Sequence, residues 1–219
     1  MLSVTDLSIV HEDERLIAVA KPAGMAMAAG GGVDAADTLQ AAVAGHIGSK
    51  AFIVHRLDRE TSGVVVFAKT AEAHRELSGQ FEQRQVAKQY LAVVAGHVDA
   101  ASGEITHPLR EFGSGRVGVD PNGREAITRW ELRERLADGD LLEVSPVTGR
   151  RHQIRVHCYA IGHPILGDTR YGEPRPIGDA PRLMLHAGEL TLANGLRLAV
   201  ELPAQFINVV AQHRVSPPG

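Results

Sequence analysis

AFIVHRLDRETSGVVVFAKTAEAHRELSGQFEQ, residues 51–83, passes through four local patterns in one stretch. Residues 52–54 are apolar, HRLDRETSG is too polar and turn-rich to extend them as a strand, and residues 64–68 are apolar again. Thr70 then stands where a helix N-cap belongs. Ala73, Leu77 and Phe81 recur at spacings of four and form the apolar stripe of a helix reaching about residue 83. Two buried strands therefore bracket a polar turn, and a helix follows at once.

The same alternation extends outward in both directions. Residues 8–11 and 16–20, separated by the acidic turn EDE, predict a β-hairpin, which Lys21-Pro22-Ala23-Gly24 breaks. The small, Gly-rich segment 25–37 predicts a mobile loop, after which Asp37 or Thr38 caps a helix bearing Leu39, Val43 and Ile47. Strands are predicted at 88–95, 126–132 and 141–147. TGRRHQIRVHCYAIG, residues 148–162, predicts a helix entered through Gly149, with Ile154, Cys158 and Ile161 inward. Arg151 and Arg155, four apart, are placed together on a neighbouring exposed sector. Residues 183–192 and 196–202 flank Asn194-Gly195, a strong hairpin signal, and a short helix at 205–213 ends the pattern. Many strands, few helices and frequent hairpins give a mixed α/β fold on a largely antiparallel sheet with flanking helices.

Composition narrows the classes. The 219 residues include 23 basic and 26 acidic side chains and a single cysteine, with 44% hydrophobic residues. A chain of this size buries roughly 70–75% of its unfolded surface, so disorder is excluded. One cysteine, Cys158, forms neither an internal disulfide nor a thiolate zinc cage. No apolar run is long enough for a membrane span, and MLSVTDLSIVHEDE has acids where a signal peptide is basic, so a soluble, cytoplasmic protein is expected. The net charge of −3 hides a local excess: residues 148–175 hold five arginines against Asp168 and Glu173. Arginine's planar fork suits phosphate or carboxylate, which makes this stretch an anion-facing candidate.

Cofactor motifs are missing. Gly30-Gly31-Gly32 lacks the lysine and hydroxyl of a phosphate-binding loop, and Gly113-Ser114-Gly115 lacks the full nucleophile-elbow pattern. His152 and His157 lie about 140° apart on a helix and cannot chelate one ion from a single face, so no metal is expected. The turn 55–63 is different, because it presents polar groups from a rigid base. Asp58 sits between Arg56 and Arg59, which keeps its carboxylate ionised. From this turn alone it is either a positioned nucleophile or base, or a salt-bridged structural aspartate.

Read together, VAKPAGM (19–25), HRLDRETSGVVVFAKT (55–70), KQYLAVVAG (88–96), TGRRHQIRVHCYAIGHPILGDTRYG (148–172) and RLMLHAGEL (182–190) resemble the RluA-type family of RNA pseudouridine synthases. The blocks occur in that family's order and approximate spacing over residues 8–206. The resemblance implies the pseudouridine synthase fold, with two subdomains around a catalytic cleft. It implies isomerisation of a uridine within RNA, in which the N1–C1′ bond breaks and C5 joins C1′, without metal or cofactor. Asp58 matches the essential aspartate, whose attack on the sugar, attack on the base, or removal of a sugar proton the sequence leaves open. Tyr90 matches the tyrosine that stacks on the target base, or is a half-buried strand tyrosine. Arg150 matches the arginine that pairs with the aspartate. Arg56 and His55 are further substrate-binding candidates, Arg56 filling the space of a flipped nucleotide or touching phosphate and His55 orienting the loop. Lys21 is expected to neutralise or brace the site wall.

Position 151 departs from the pattern, holding arginine where threonine or serine is usual; it is assigned to RNA contact or else points to solvent, and Arg155 is assigned to RNA contact with a structural role as its alternative. The expected organisation is one catalytic domain over residues 1–219, without a separate RNA-binding domain. It is expected to act as a monomer on tRNA or on a stem-loop of large-subunit rRNA. The alternative is an RNA-binding protein of the same fold with little or no activity.

Overall fold

A computed structural model of the chain describes residues 7–113, 115–173 and 178–214. Ser114 of the elbow-like triplet and Arg175 of the basic stretch lie outside the described residues. Among those described, the chain forms twelve strands and four α-helices, the mixed, mostly antiparallel class that the sequence predicts. It divides into two compact units, one of residues 1–87 and 187–201, the other of 88–186 and 202–219.

In the first unit, β1 (Ile9–Glu12) and β2 (Leu16–Lys21) form the predicted hairpin. β2 pairs antiparallel with β4 (Ser62–Ala68), from Leu16 opposite Ala68 to Lys21 opposite Gly63, and every residue of β4 is buried. The short β3 (Phe52–Ile53) takes the far end of β4, at Phe67 and Ala68. β11 (Leu185–Thr191) also borders β4 and pairs with β12 (Arg197–Ala199) across the Asn194-Gly195 turn. At Gly63, φ is +130° and an added Cβ would stand 2.2 Å from the Ala187 carbonyl oxygen. Only glycine lets these strands approach so closely.

The helices of this unit are set by their caps. Thr38 accepts from Ala41 N–H at the start of α1 (Leu39–Ile47), and Thr70 accepts from Ala73 N–H at the start of α2 (Ala71–Glu82). Each such cap contributes about 1 kcal/mol. Ala73 and Leu77 of α2 pack with Val64, Val66, Leu190 and Leu198 in the unit's core, with Phe81 at its margin.

The second unit is built on β5 (Ala87–Ala95), β10 (Gly139–Pro146), β9 (Thr128–Arg135) and β6 (Ser102–Ile105), each antiparallel to the next. β7 (Leu109–Glu111) and β8 (Val117–Val119) form a separate two-stranded ribbon. α4 (Ala204–Gln212) buries Phe206, Val209 and Val210 on the unit's main core, beside Ile154 and Cys158 of α3 (Gln153–Ala160). On its other side α3 puts Val156 against Leu109 and Val117 of the ribbon, with Tyr171. The helix is thus packed on two sides, and residues 153–158 are all buried. An exposed sector shared by Arg151 and Arg155 does not exist: Arg151 is exposed and Arg155 is 2% exposed. Among the described residues, no helix is long and apolar enough to cross a membrane.

Candidate active site

In the first unit the turn between β3 and β4 is pinned at several points. Leu57 is buried and plugs it into the core, which leaves its neighbours Arg56 exposed and Asp58 half-buried. The Asp58 carbonyl accepts from Thr61 N–H at 3.2 Å, closing the turn. The next carbonyl, of Arg59, accepts from Gly24 N–H at 2.7 Å and from Lys21 Nζ at 3.0 Å. Arg59 Nε returns a bond to the Gly24 carbonyl at 2.8 Å. Lys21, 1% exposed, also donates to the Pro22 carbonyl at 2.9 Å. A buried ammonium must spend its protons on acceptors, and here they tie the KPAG turn to the main chain beside Asp58. Lys21 therefore ties two main-chain segments together beside the turn.

His55 has a defined job in the same turn. Val66 N–H, on β4, donates to its Nε2 at 3.0 Å. A main-chain N–H can only donate, so Nε2 is the unprotonated nitrogen and the neutral ring carries its proton on Nδ1. The ring also stacks on Phe81, with centroids 4.5 Å apart and planes 15° from parallel. His55 thus fixes the loop to strand and helix together.

In the second unit Tyr90 lies on β5 opposite Val144, half-buried against the main core. Arg150 precedes α3. Its Nε donates to the Glu125 carbonyl at 2.9 Å, and its main-chain N–H donates to Gln153 Oε1 at 3.0 Å. His152, with φ 54°, turns the chain into the helix through the left-handed region, where a non-glycine residue is uncommon. Burial and a 2.7 Å bond between its Nδ1 and the Tyr171 hydroxyl hold it there.

The two arginines assigned to RNA contact separate. Arg151 forms an ion pair with Glu111 on β7, both side chains about half exposed. Arg155 instead makes a two-pronged pair with Asp168, Nε to Oδ2 and Nη2 to Oδ1, each 2.8 Å. Asp168 also accepts from the N–H groups of Arg170 and Tyr171, at 2.7 and 3.0 Å. The guanidinium lies over the Tyr171 ring, 5.3 Å from its centroid. Arg155 is a buried strut. Among the described residues, no cluster of three or more His, Cys, Asp or Glu side chains is placed to hold a metal ion.

A family model described as RNA pseudouridylate synthase matches residues 15–160, two thirds of the chain, including the whole Asp58 segment and the Arg150 segment as far as Ala160. The chain belongs to this family. Like other RNA pseudouridine synthases it is an isomerase. It is 40% identical over 207 residues to the dual-specificity RNA pseudouridine synthase RluA of Escherichia coli, spanning 91% of this chain and 94% of that protein. It is 38% identical over 213 residues to the ribosomal large subunit pseudouridine synthase C of Vibrio cholerae, spanning 90% of this chain but 65% of that longer protein. Among solved structures, human RNA pseudouridylate synthase domain containing 4 superposes with a TM-score of 0.81 at 26% identity, over 97% of this chain and 95% of that one. Human RNA pseudouridylate synthase domain containing 1 gives 0.78 at 30% identity, over 96% and 88%.

Proposed function

We propose that this RNA pseudouridine synthase isomerises uridines in tRNA and in large-subunit rRNA, as a monomeric cytoplasmic enzyme, with Asp58 as its catalytic carboxylate. The observation that carries this reading is the pinned turn itself. Lys21, Gly24 and the Arg59 carbonyl immobilise the main chain on one side of Asp58. Fixing the backbone orders the carboxylate before RNA arrives, which removes that entropy from the reaction barrier. Similarity along nearly the full length of a dual-specificity synthase supports a choice of more than one RNA class.

The overall reaction cleaves N1–C1′, turns the base, joins C5 to C1′, releases the C5 proton and protonates N1. No electrons are exchanged with an outside reagent, so no redox cofactor is needed. A stacked uridine hides both C1′ and N1, so the nucleotide must flip to reach Asp58. In this reading Tyr90 stacks on the flipped base, Arg150 contacts the RNA substrate, and Arg56 and His55 line the turn that receives the nucleotide.

The test is release of tritium from C5-labelled uridine in bulk tRNA and in large-subunit rRNA fragments. The wild type is expected to release tritium from both classes, and Asp58→Asn from neither. Equal release by Asp58→Asn would remove Asp58 from the chemistry. Release from one class only would narrow the substrate, and release from neither, with binding intact, would favour an RNA-binding role.

A further inference from the structure

The loop that carries Arg150 is anchored by a run of buried polar side chains that the catalytic reading does not use. His157 is 0% exposed, Thr128 0%, Thr148 3% and Gln153 4%. His157 Nε2 lies 2.9 Å from the main-chain carbonyl of His107, which can only accept, so Nε2 carries the proton. In the neutral ring Nδ1 is then an acceptor, and the Thr128 hydroxyl, 2.9 Å away, must donate to it. With its one proton committed, Thr128 Oγ1 accepts from Gln153 Nε2 at 3.0 Å. The second Nε2 proton goes to the Ile127 carbonyl at 2.9 Å. That fixes the flip of the amide, and Gln153 Oε1 accepts from the Thr148 hydroxyl at 2.6 Å and from Arg150 N–H at 3.0 Å. Thr148 Oγ1 in turn accepts from Ile127 N–H at 2.9 Å. Every proton along the line has one assignable direction, from the His107 carbonyl to the Arg150 main chain.

We propose that Thr128, Thr148, Gln153 and His157 are positioning residues, a one-way hydrogen-bond relay that sets the orientation of the Arg150 main chain and so of the guanidinium that catalysis uses. This rests on the reading of Arg150 as a working residue of the site. Plain structural filling would need only that each polar group find some partner. The geometry is more restrictive, because no member can reverse its donor sense without orphaning a buried neighbour. Arg150 is also held from its side chain, through Nε to the Glu125 carbonyl. Two tethers on different atoms of one residue fix a direction, where one would leave a swivel.

The experiment is a double-mutant cycle on single-turnover rate at saturating RNA. Thr148→Val and Thr128→Val each delete one relay hydroxyl at near-constant shape, and Thr148→Ser restores it. Each valine variant is expected to lose about tenfold or more in rate, since a small misplacement of a positioning group is costly. RNA Kd should stay within about twofold, and serine should recover most of the rate; with Arg150→Lys the expected further loss is under about twofold, the mark of shared action. Using two valine variants, checked by thermal melting, keeps the test readable if one folds poorly. Losses that multiply with Arg150→Lys, losses confined to Kd, or wild-type rates in both valine variants would overturn the relay. An Arg150→Lys enzyme with the wild-type rate would overturn it too, by removing Arg150 from the site while leaving the activity intact.

Discussion

Replacing Arg155 separates a structural role from an RNA-binding one. Arg155→Ala strips Asp168, 1% exposed, of its two guanidinium bonds and leaves it the N–H groups of Arg170 and Tyr171 as donors. Breaking a buried pair from one side costs about 3–5 kcal/mol, because the remaining charge stays desolvated. A domain of this size loses about 2–4 °C in Tm per kcal/mol, so the variant should melt about 6–20 °C lower. Arg155→Met combined with Asp168→Asn removes both charges, and the double variant should be less destabilised than the sum of the single changes by about 0.5–3 kcal/mol. Urea denaturation gives the stabilities, and filter binding across salt concentrations gives the RNA contact. An Arg155→Ala protein as stable as wild type, with a shallower salt dependence, would refute the buried strut and return Arg155 to the phosphate backbone.

Two other perturbations read different parts of the second unit. Glu111→Gln frees Arg151 from its ion pair; RNA binding should tighten at low salt and the slope of log K against log [salt] should steepen by about 0.7–0.9 for one added phosphate contact, with unchanged slopes assigning the pair to solvent. Burial holds the His157 imidazole below its ordinary value of 6.5, so the unfolded chain binds that proton more readily than the native one. Stability is therefore complete above pH 6.5 and falls as pH drops towards the lowered native value, by at most about 1.4 kcal/mol per pH unit. Urea midpoints between pH 7 and 5 should show this fall in the wild type and lose it in His157→Gln; identical curves would refute it.

The elements legible in the sequence are those fixed by local chemistry. Thr38 and Thr70 cap their helices where a hydroxyl precedes an apolar stripe, and Asn194-Gly195 closes its hairpin, because a few adjacent residues decide each feature. The Asp58 segment stands out because polar groups cluster there between apolar strands, and the Arg150 segment because arginines concentrate there. Arg155 was misplaced for the opposite reason. Its partners, Asp168 and the Tyr171 ring, lie in the loop after α3, and Leu109 and Val117 of the β7–β8 ribbon cover the neighbouring Val156 on a helix some 40 residues away. Helical spacing gives the angle between Arg151 and Arg155 but not how many sides of the helix are covered. The relay was equally hidden. Thr128, Thr148 and His157 come from β9, the turn after β10 and α3, and only the folded chain aligns their donors and acceptors.

The division of the first unit into residues 1–87 and 187–201 also sets the order of events during synthesis. Its core needs Leu190, Leu192 and Leu198, which pack with Leu16, Val64 and Leu77. On a ribosome adding about 5–20 residues per second, the amino-terminal segment waits roughly 5–20 s for these partners while the second unit is made. During that interval β4, seven residues apolar but for Ser62 and Gly63, lacks the neighbour that β11 later supplies. Chaperone dependence in the cell should therefore track translation speed across residues 88–186, and slow codons there should lengthen the exposure of a sticky strand edge.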